Sequence, residues 1–181
     1  MGIKKYINDY RKEYVVKPNG KPGMTAVYVG KYYRFTASEA VLNRAKRLFA
    51  CLSVIATILC IVPFCYQSVG AHTFYVAIPH VVALLPLAHL IMGVYNLYTF
   101  KIPLIREFKD KTEVRISSSS LFALCCMGIT AVAQCVNCFI NGINAAEIIY
   151  FLLTLLSAAC CGYIFFNRKL LATEECAKDG N

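Results

Sequence analysis

The chain has 181 residues and is 58% hydrophobic, more apolar than soluble domains, which average about 45–50%. Its formal charge of +9 would suit a polyanion, but the placement of the basic residues argues against nucleic acid. Eleven of the nineteen Lys and Arg fall between Lys4 and Arg47, five between Lys101 and Arg115 and three between Arg168 and Lys178, separated by long uncharged runs.

Residues 1–46 are expected to form a basic, tyrosine-rich cytoplasmic segment. Ile3, Tyr6, Ile7, Tyr10 and Tyr14 recur at helical spacing, which predicts a short helix lying in the membrane interface. Pro18-Asn19-Gly20-Lys21-Pro22-Gly23 is a turn cluster between Tyr14–Lys17 and Thr25–Val29, and so predicts a β-hairpin. Gly30-Lys31 turns the chain again into Tyr32–Phe35, making a ribbon of two or three strands. Thr36 and Glu39 have capping-box spacing, and the helix they begin is expected to run unbroken into the first span, since no Gly or Pro intervenes before Pro63.

Four long apolar runs follow within residues 47–167: Leu48 to Val69, Phe74 to Tyr98, Ser118 to Ile140 and Ala145 to Phe166. Each is long enough for the roughly 20 residues a helix needs to cross hydrocarbon, where every backbone group must be bonded internally. The fold class expected is an all-α integral membrane protein. It is an up-down bundle of four transmembrane helices with the hairpin-bearing segment as an appendage. The connections around Gln67 to Thr73 and Asn141 to Asn144 lack Lys and Arg, so both termini are expected on the cytoplasmic side, in a membrane of the bacterial cytoplasmic type. No cleavable signal peptide is expected, because the first run is long and follows a polar segment. Pro79 and Pro86 share a face of span two and predict a bend. The loop from Phe100 to Ser117 is expected to hold one interfacial helical turn, and residues 168–181 to form a frayed tail.

Polar residues inside the spans are where chemistry could reside. Cys126, Thr130, Gln134, Asn137 and Asn141 share a face of span three, and Glu147, Tyr150, Thr154, Ser157 and Cys161 share a face of span four. Matching depths by helix rise pairs Asn137 and Asn141 with Glu147, Gln134 with Tyr150, and Thr130 with Thr154. This stripe reads first as helix-helix glue and second as a polar pathway. Glu147 is expected to be a solvated residue of the helix N-terminus. His80 and His89 point to opposite faces of span two; His89 lies at a depth where Cys126 and Cys161 could join it on a soft metal. Cys135 and Cys138 form a C-x-x-C at the outer end of span three, with Cys65 at similar depth. Quinone-linked membrane thiol oxidoreductases are also four-helix bundles, but here the motif sits at a helix C-terminus, where the dipole opposes a thiolate.

No Gly-rich phosphate loop, metalloprotease helix or nucleophile elbow is present, and no cofactor is implied. The leading expectation is a non-enzymatic accessory, regulatory or scaffolding subunit. It would meet a membrane-protein partner or anionic lipid through Tyr14, Tyr28, Tyr32, Tyr33, Phe35, Arg44, Lys46 and Arg47. The alternatives are a small carrier or channel-like subunit that acts as a homo-oligomer and uses the polar stripe, and a thiol oxidoreductase at Cys135 and Cys138.

Overall fold

The structure, a computed structural model, describes residues 6–16, 22–65, 68–99 and 103–176. A 3-10 turn at Ile7–Asp9 leads into strand β1 (Tyr10–Val16), which pairs antiparallel with β2 (Pro22–Tyr28), Tyr10 opposite Tyr28 and Tyr14 opposite Met24. The expected interfacial helix therefore does not form over Tyr10 to Tyr14, and its Ile3 lies outside the described residues. An isolated helix this short is marginal in water, whereas pairing with β2 satisfies the same backbone. The hairpin is present but starts at Tyr10 rather than Tyr14; most of its turn lies outside the described residues.

Strand β3 (Tyr32–Phe35) does not extend that ribbon. Helix α1 (Glu39–Ile61) starts after Ser38 and runs unbroken into the first span as expected, ending at a 3-10 turn, Val62–Cys65, that contains Pro63. Its N-cap has no side-chain hydrogen bond, so the expected capping box is not made; the Thr36 amide instead donates to the Ala172 carbonyl. The first apolar run thus ends its helix before Val69. A separate short helix, α2 (Val69–His72), follows, capped by Ser68 Oγ, which accepts from the Ala71 amide at 3.0 Å.

Helix α3 (Phe74–Thr99) includes Pro79 and Pro86 without interruption. Strand β4 (Leu104–Ile105) precedes α4 (Arg106–Asn141), a helix about 54 Å long at 1.5 Å per residue. The segment read as a loop with one helical turn is therefore mostly helix, three turns that prolong span three. Gly142, at φ 85°, ends α4 in a conformation that L side chains resist. Helix α5 (Ala145–Phe166) and a 3-10 turn at Asn167–Leu171 lead to β5 (Thr173–Cys176). The tail read as frayed is thus a strand up to Cys176. β3 is the centre of a second sheet, antiparallel to β4 on one side and β5 on the other, with Tyr33 opposite both Leu104 and Glu175.

The four long helices pack each against the next, and α5 closes against α1. All four are long and apolar enough to cross a membrane, yet at most 44% of any span's apolar window is buried within the protein. The rest faces outward as aliphatic and aromatic surface, Leu85, Val132 and Phe139 among it, which suits a hydrocarbon solvent. The interior of the bundle is built from small residues. Ala56, Ala83, Ala123 and Ala158 surround Met127 and Leu87 in the middle, with Cys60, Cys126, Cys160 and Cys161 filling the same layer as small hydrophobes. A second cluster, Leu42, Phe49, Leu90, Val94, Leu97 and Ile116 among it, closes the end that carries the sheets.

Tyrosine hydroxyls fasten the N-terminal segment to α4. Tyr28 accepts from the Arg106 amide at 3.0 Å, satisfying one of the N–H groups a helix start leaves open, and donates to the Lys31 carbonyl. Tyr10 donates to Glu107 and Tyr6 to Asp110. Tyr10, Tyr28 and Tyr32 stack edge to face with centroids 5.3 and 5.2 Å apart. Burial first, and the neighbouring Glu107 next, raise the Tyr10 hydroxyl above its usual pKa, so it stays a donor.

Candidate functional site

The polar groups of the bundle gather at the end opposite the sheets, around Glu147. The Asn144 side chain caps α5 by accepting from the Glu147 amide at 2.9 Å, which aims the Glu147 side chain back over the helix start and into the bundle. There the carboxyl is covered: 1% of the residue is exposed. One oxygen accepts from the Gly70 amide at 3.2 Å, the other from Gln134 Nε2 and from Asn137 Nδ2 at 3.4 Å. The expected solvated position of Glu147 is corrected by α2, which folds across this end of the bundle and supplies the Gly70 donor.

Asn137 holds the rim of the cluster. Its Oδ1 accepts from Thr73 and Tyr75, each at 3.3 Å, and from the exposed Asn141 at 2.8 Å. Gln134 is fully buried, and its Oε1 has no hydrogen-bond partner. It lies so close to Gly70 that a Cβ there would sit 2.2 Å from it, so any side chain at position 70 would have to push the Gln134 amide aside.

The two polar stripes do face each other, but they do not form the expected ladder. Gln134 reaches Glu147 rather than Tyr150. Tyr150 turns to α3, where its hydroxyl lies 2.7 Å from His80 Nδ1, while His80 Nε2 lies 2.8 Å from the Cys60 carbonyl. A carbonyl only accepts, so the His80 proton sits on Nε2 and Nδ1 accepts from Tyr150. Cys60 lies in the last turn of α1, whose carbonyls run out of helical donors, and His80 supplies one. Thr130 and Thr154 do not meet; each hydroxyl donates to the carbonyl four residues back on its own helix, Cys126 and Tyr150. Ser157 reaches α1, donating to the Ala56 carbonyl at 2.9 Å. Below Tyr150 the interior is the apolar layer of Ala56, Leu87 and Met127.

The other candidates separate. His89 is exposed on the outer face of α3 and bonds the Leu85 carbonyl of its own helix, away from the buried Cys126 and Cys161. Among the described residues no three His, Cys, Asp or Glu side chains are grouped to hold a metal ion. Cys135 is exposed and Cys138 half-buried; both thiols are free and line a groove of about 270 Å³ between α4 and α5 with Phe139, Ile148 and Phe151.

The surface expected for a partner is partly used internally. Tyr33 is buried, with the Lys109 ammonium 4.2 Å from its ring centroid, and Phe35 packs on the cluster around Leu42 with Lys46 above its ring. Tyr28 and Tyr32 are half-buried in the tyrosine stack. Tyr14, Arg44 and Arg47 remain exposed. Gly70, Thr73, Tyr75 and the His80 pairing were missed by sequence reasoning. Ser68 two residues before Gly70, a cap in front of a glycine, was the available signal in a stretch read as a connection.

No protein-family model, no curated protein and no solved structure matches this chain. The site therefore stands on its own chemistry.

Proposed function

We propose that the chain is an integral membrane protein that works without catalysis, as an accessory or scaffolding subunit whose β1–β2 hairpin meets a membrane-protein partner. The observation that carries this reading is the exposure of the hairpin. Arg11 to Tyr14 and Met24 to Ala26 are all exposed, while the tyrosines at the other end of the ribbon hold it to α4. Tyr14 and Met24 are directly opposite, 76% and 60% exposed, and share a face with Lys12. A two-stranded ribbon with both edges open is marginal alone, and an aromatic, thioether and cationic face suits a protein surface. Arg44 and Arg47, exposed near the start of α1, are suited to anionic headgroups.

Removing residues 2–29, which stops short of β3, is expected to leave the bundle inserted and folded while eliminating a stoichiometric partner from mild-detergent extracts of native membranes. Retention of the same partner by the shortened chain would sink the hairpin reading, as would an intact chain that purifies alone. A deletion reaching residue 35 would confuse the result, because it also removes the centre of the second sheet.

The placement of Lys and Arg supports both termini facing the cytoplasm. A green fluorescent protein fused after residue 181 is then expected to fluoresce and an alkaline phosphatase fused there to be inactive; the reverse pattern would overturn this orientation. The carrier reading has less behind it, since the polar cluster ends at an apolar layer and the threonine hydroxyls of the stripe are spent on their own helices.

A further inference from the structure

The geometry points to a binding site for a small monovalent cation, of the size of Na⁺, at Glu147 and Gln134. A carboxyl taken out of water is stable when it meets a positive charge, and here none of its partners carries one. The three donors are a backbone amide and two side-chain amides. Among the described residues no Lys or Arg lies at this end of the bundle. Arg168, past the far end of the same helix, is about 30 Å away at 1.5 Å per residue. His72 on α2 is exposed rather than turned into the cluster. Ionisable groups in membrane-spanning segments that lack a partner mark ion and proton sites.

The second observation is the unpaired oxygen of Gln134. A fully buried amide carbonyl without a donor is uncommon and costs stability unless something else fills the place. This oxygen and the first oxygen of Glu147 both converge on Gly70, the one against its Cα and the other on its N–H. Oxygen ligands without sulfur or imidazole select a hard cation. A single carboxylate with neutral oxygens balances one positive charge, whereas Ca²⁺ sites draw on several carboxylates. The tight approach of Gln134 to Gly70 favours a small ion over K⁺. Asn137 is a positioning residue: its Oδ1 is already shared by Thr73, Tyr75 and Asn141, and its Nδ2 steadies the carboxyl. Asn141 and Asn144, both exposed, are the polar residues nearest to solvent beside the site, bonded to Asn137 and to the Glu147 amide.

The test is equilibrium binding of radiolabelled Na⁺ to the full-length protein in mild detergent, with choline chloride keeping the ionic strength constant. The wild-type chain is expected to show saturable binding that Li⁺ displaces better than K⁺. Glu147→Gln is expected to weaken it by roughly tenfold or more, the loss of one charge-assisted ligand, and Gln134→Leu by a similar factor. Absence of saturable Na⁺ binding by the wild-type chain would overturn the proposal, and so would unchanged affinity in a folded Glu147→Gln protein or equal displacement by K⁺. If Glu147→Gln does not fold, the wild-type competition between Li⁺ and K⁺ still decides. A wild-type stability that responds to pH but not to Na⁺ at fixed ionic strength would assign the site to a proton and count against the cation.

Discussion

Glu147→Leu is expected to be the most damaging single substitution in the bundle, costing about 3 kcal/mol, from three interhelical hydrogen bonds at about 1 kcal/mol each. Leucine fills the volume but leaves the Gly70 amide, Gln134 Nε2 and Asn137 Nδ2 with no acceptor in a place water does not reach. Because these donors sit on α2 and α4, the loss also uncouples the short helix from the end of the bundle. Glu147→Gln, which keeps an acceptor oxygen, is expected to cost roughly half as much by the same count of bonds. Unfolding curves in mixed detergent micelles measure both. A leucine variant as stable as the wild type would mean that the carboxyl is solvated and that α2 does not cover it.

His80→Phe ranks second, with an expected loss of about 2 kcal/mol from two hydrogen bonds. Phenylalanine preserves an aromatic ring between Phe64 and Tyr150, whose centroids lie 4.9 and 5.2 Å from that of His80. It removes both hydrogen bonds of the imidazole, stranding the Tyr150 hydroxyl and the Cys60 carbonyl. Tyr150→Phe alone strands only the Nδ1 acceptor and is expected to cost about 1–2 kcal/mol. The double variant removes that pair together, so its loss should fall short of the sum by about 1 kcal/mol or more. Strict additivity would show that the bond between Tyr150 and His80 contributes nothing to stability, and α3 and α5 would then be joined by packing alone.

The helices were legible because hydrocarbon imposes a length and a composition that no other pattern in the chain imitates. The faces of α4 and α5 were legible too, since residues three and four apart share a side of any helix: Gln134, Asn137, Glu147, Tyr150 and Ser157 are all buried. Their partners were not, because a periodicity gives direction around one axis and says nothing of which neighbour is there. Tyr150 looks toward α4 in a two-helix picture and finds His80 only when α3 is set beside it. The depth of Glu147 was misjudged for a different reason. Distance from a helix end measures burial only if nothing covers that end, and Val69–His72 was read as a connection. β5 was opaque because Thr173-Glu174-Glu175-Cys176 has no apolar alternation; its pairing comes from the backbone edge that β3 offers, helped by the exposed ion pair of Lys31 with Glu175 at 2.7 Å. Ile7, Tyr10 and Tyr14 misled because a spacing of three and four is also met by a strand whose tyrosines anchor one end.

The second sheet gives the order of assembly a definite last step. β3 leaves the ribosome before any of the four helices, while the strand that covers its far edge is made after all of them, so Tyr32 must wait for Cys176. Until then the β3 edge is open and the tyrosine stack lacks its neighbour strand. Closing so long a loop is slow when the chain is free but quick once the bundle has brought α1 and α5 together. Protection from exchange of the Tyr32 and Arg34 amides, which lie on the same side of β3 as the Thr36 amide bonded to Ala172, would therefore appear only in chains that have inserted completely, making this small sheet a seal on finished molecules.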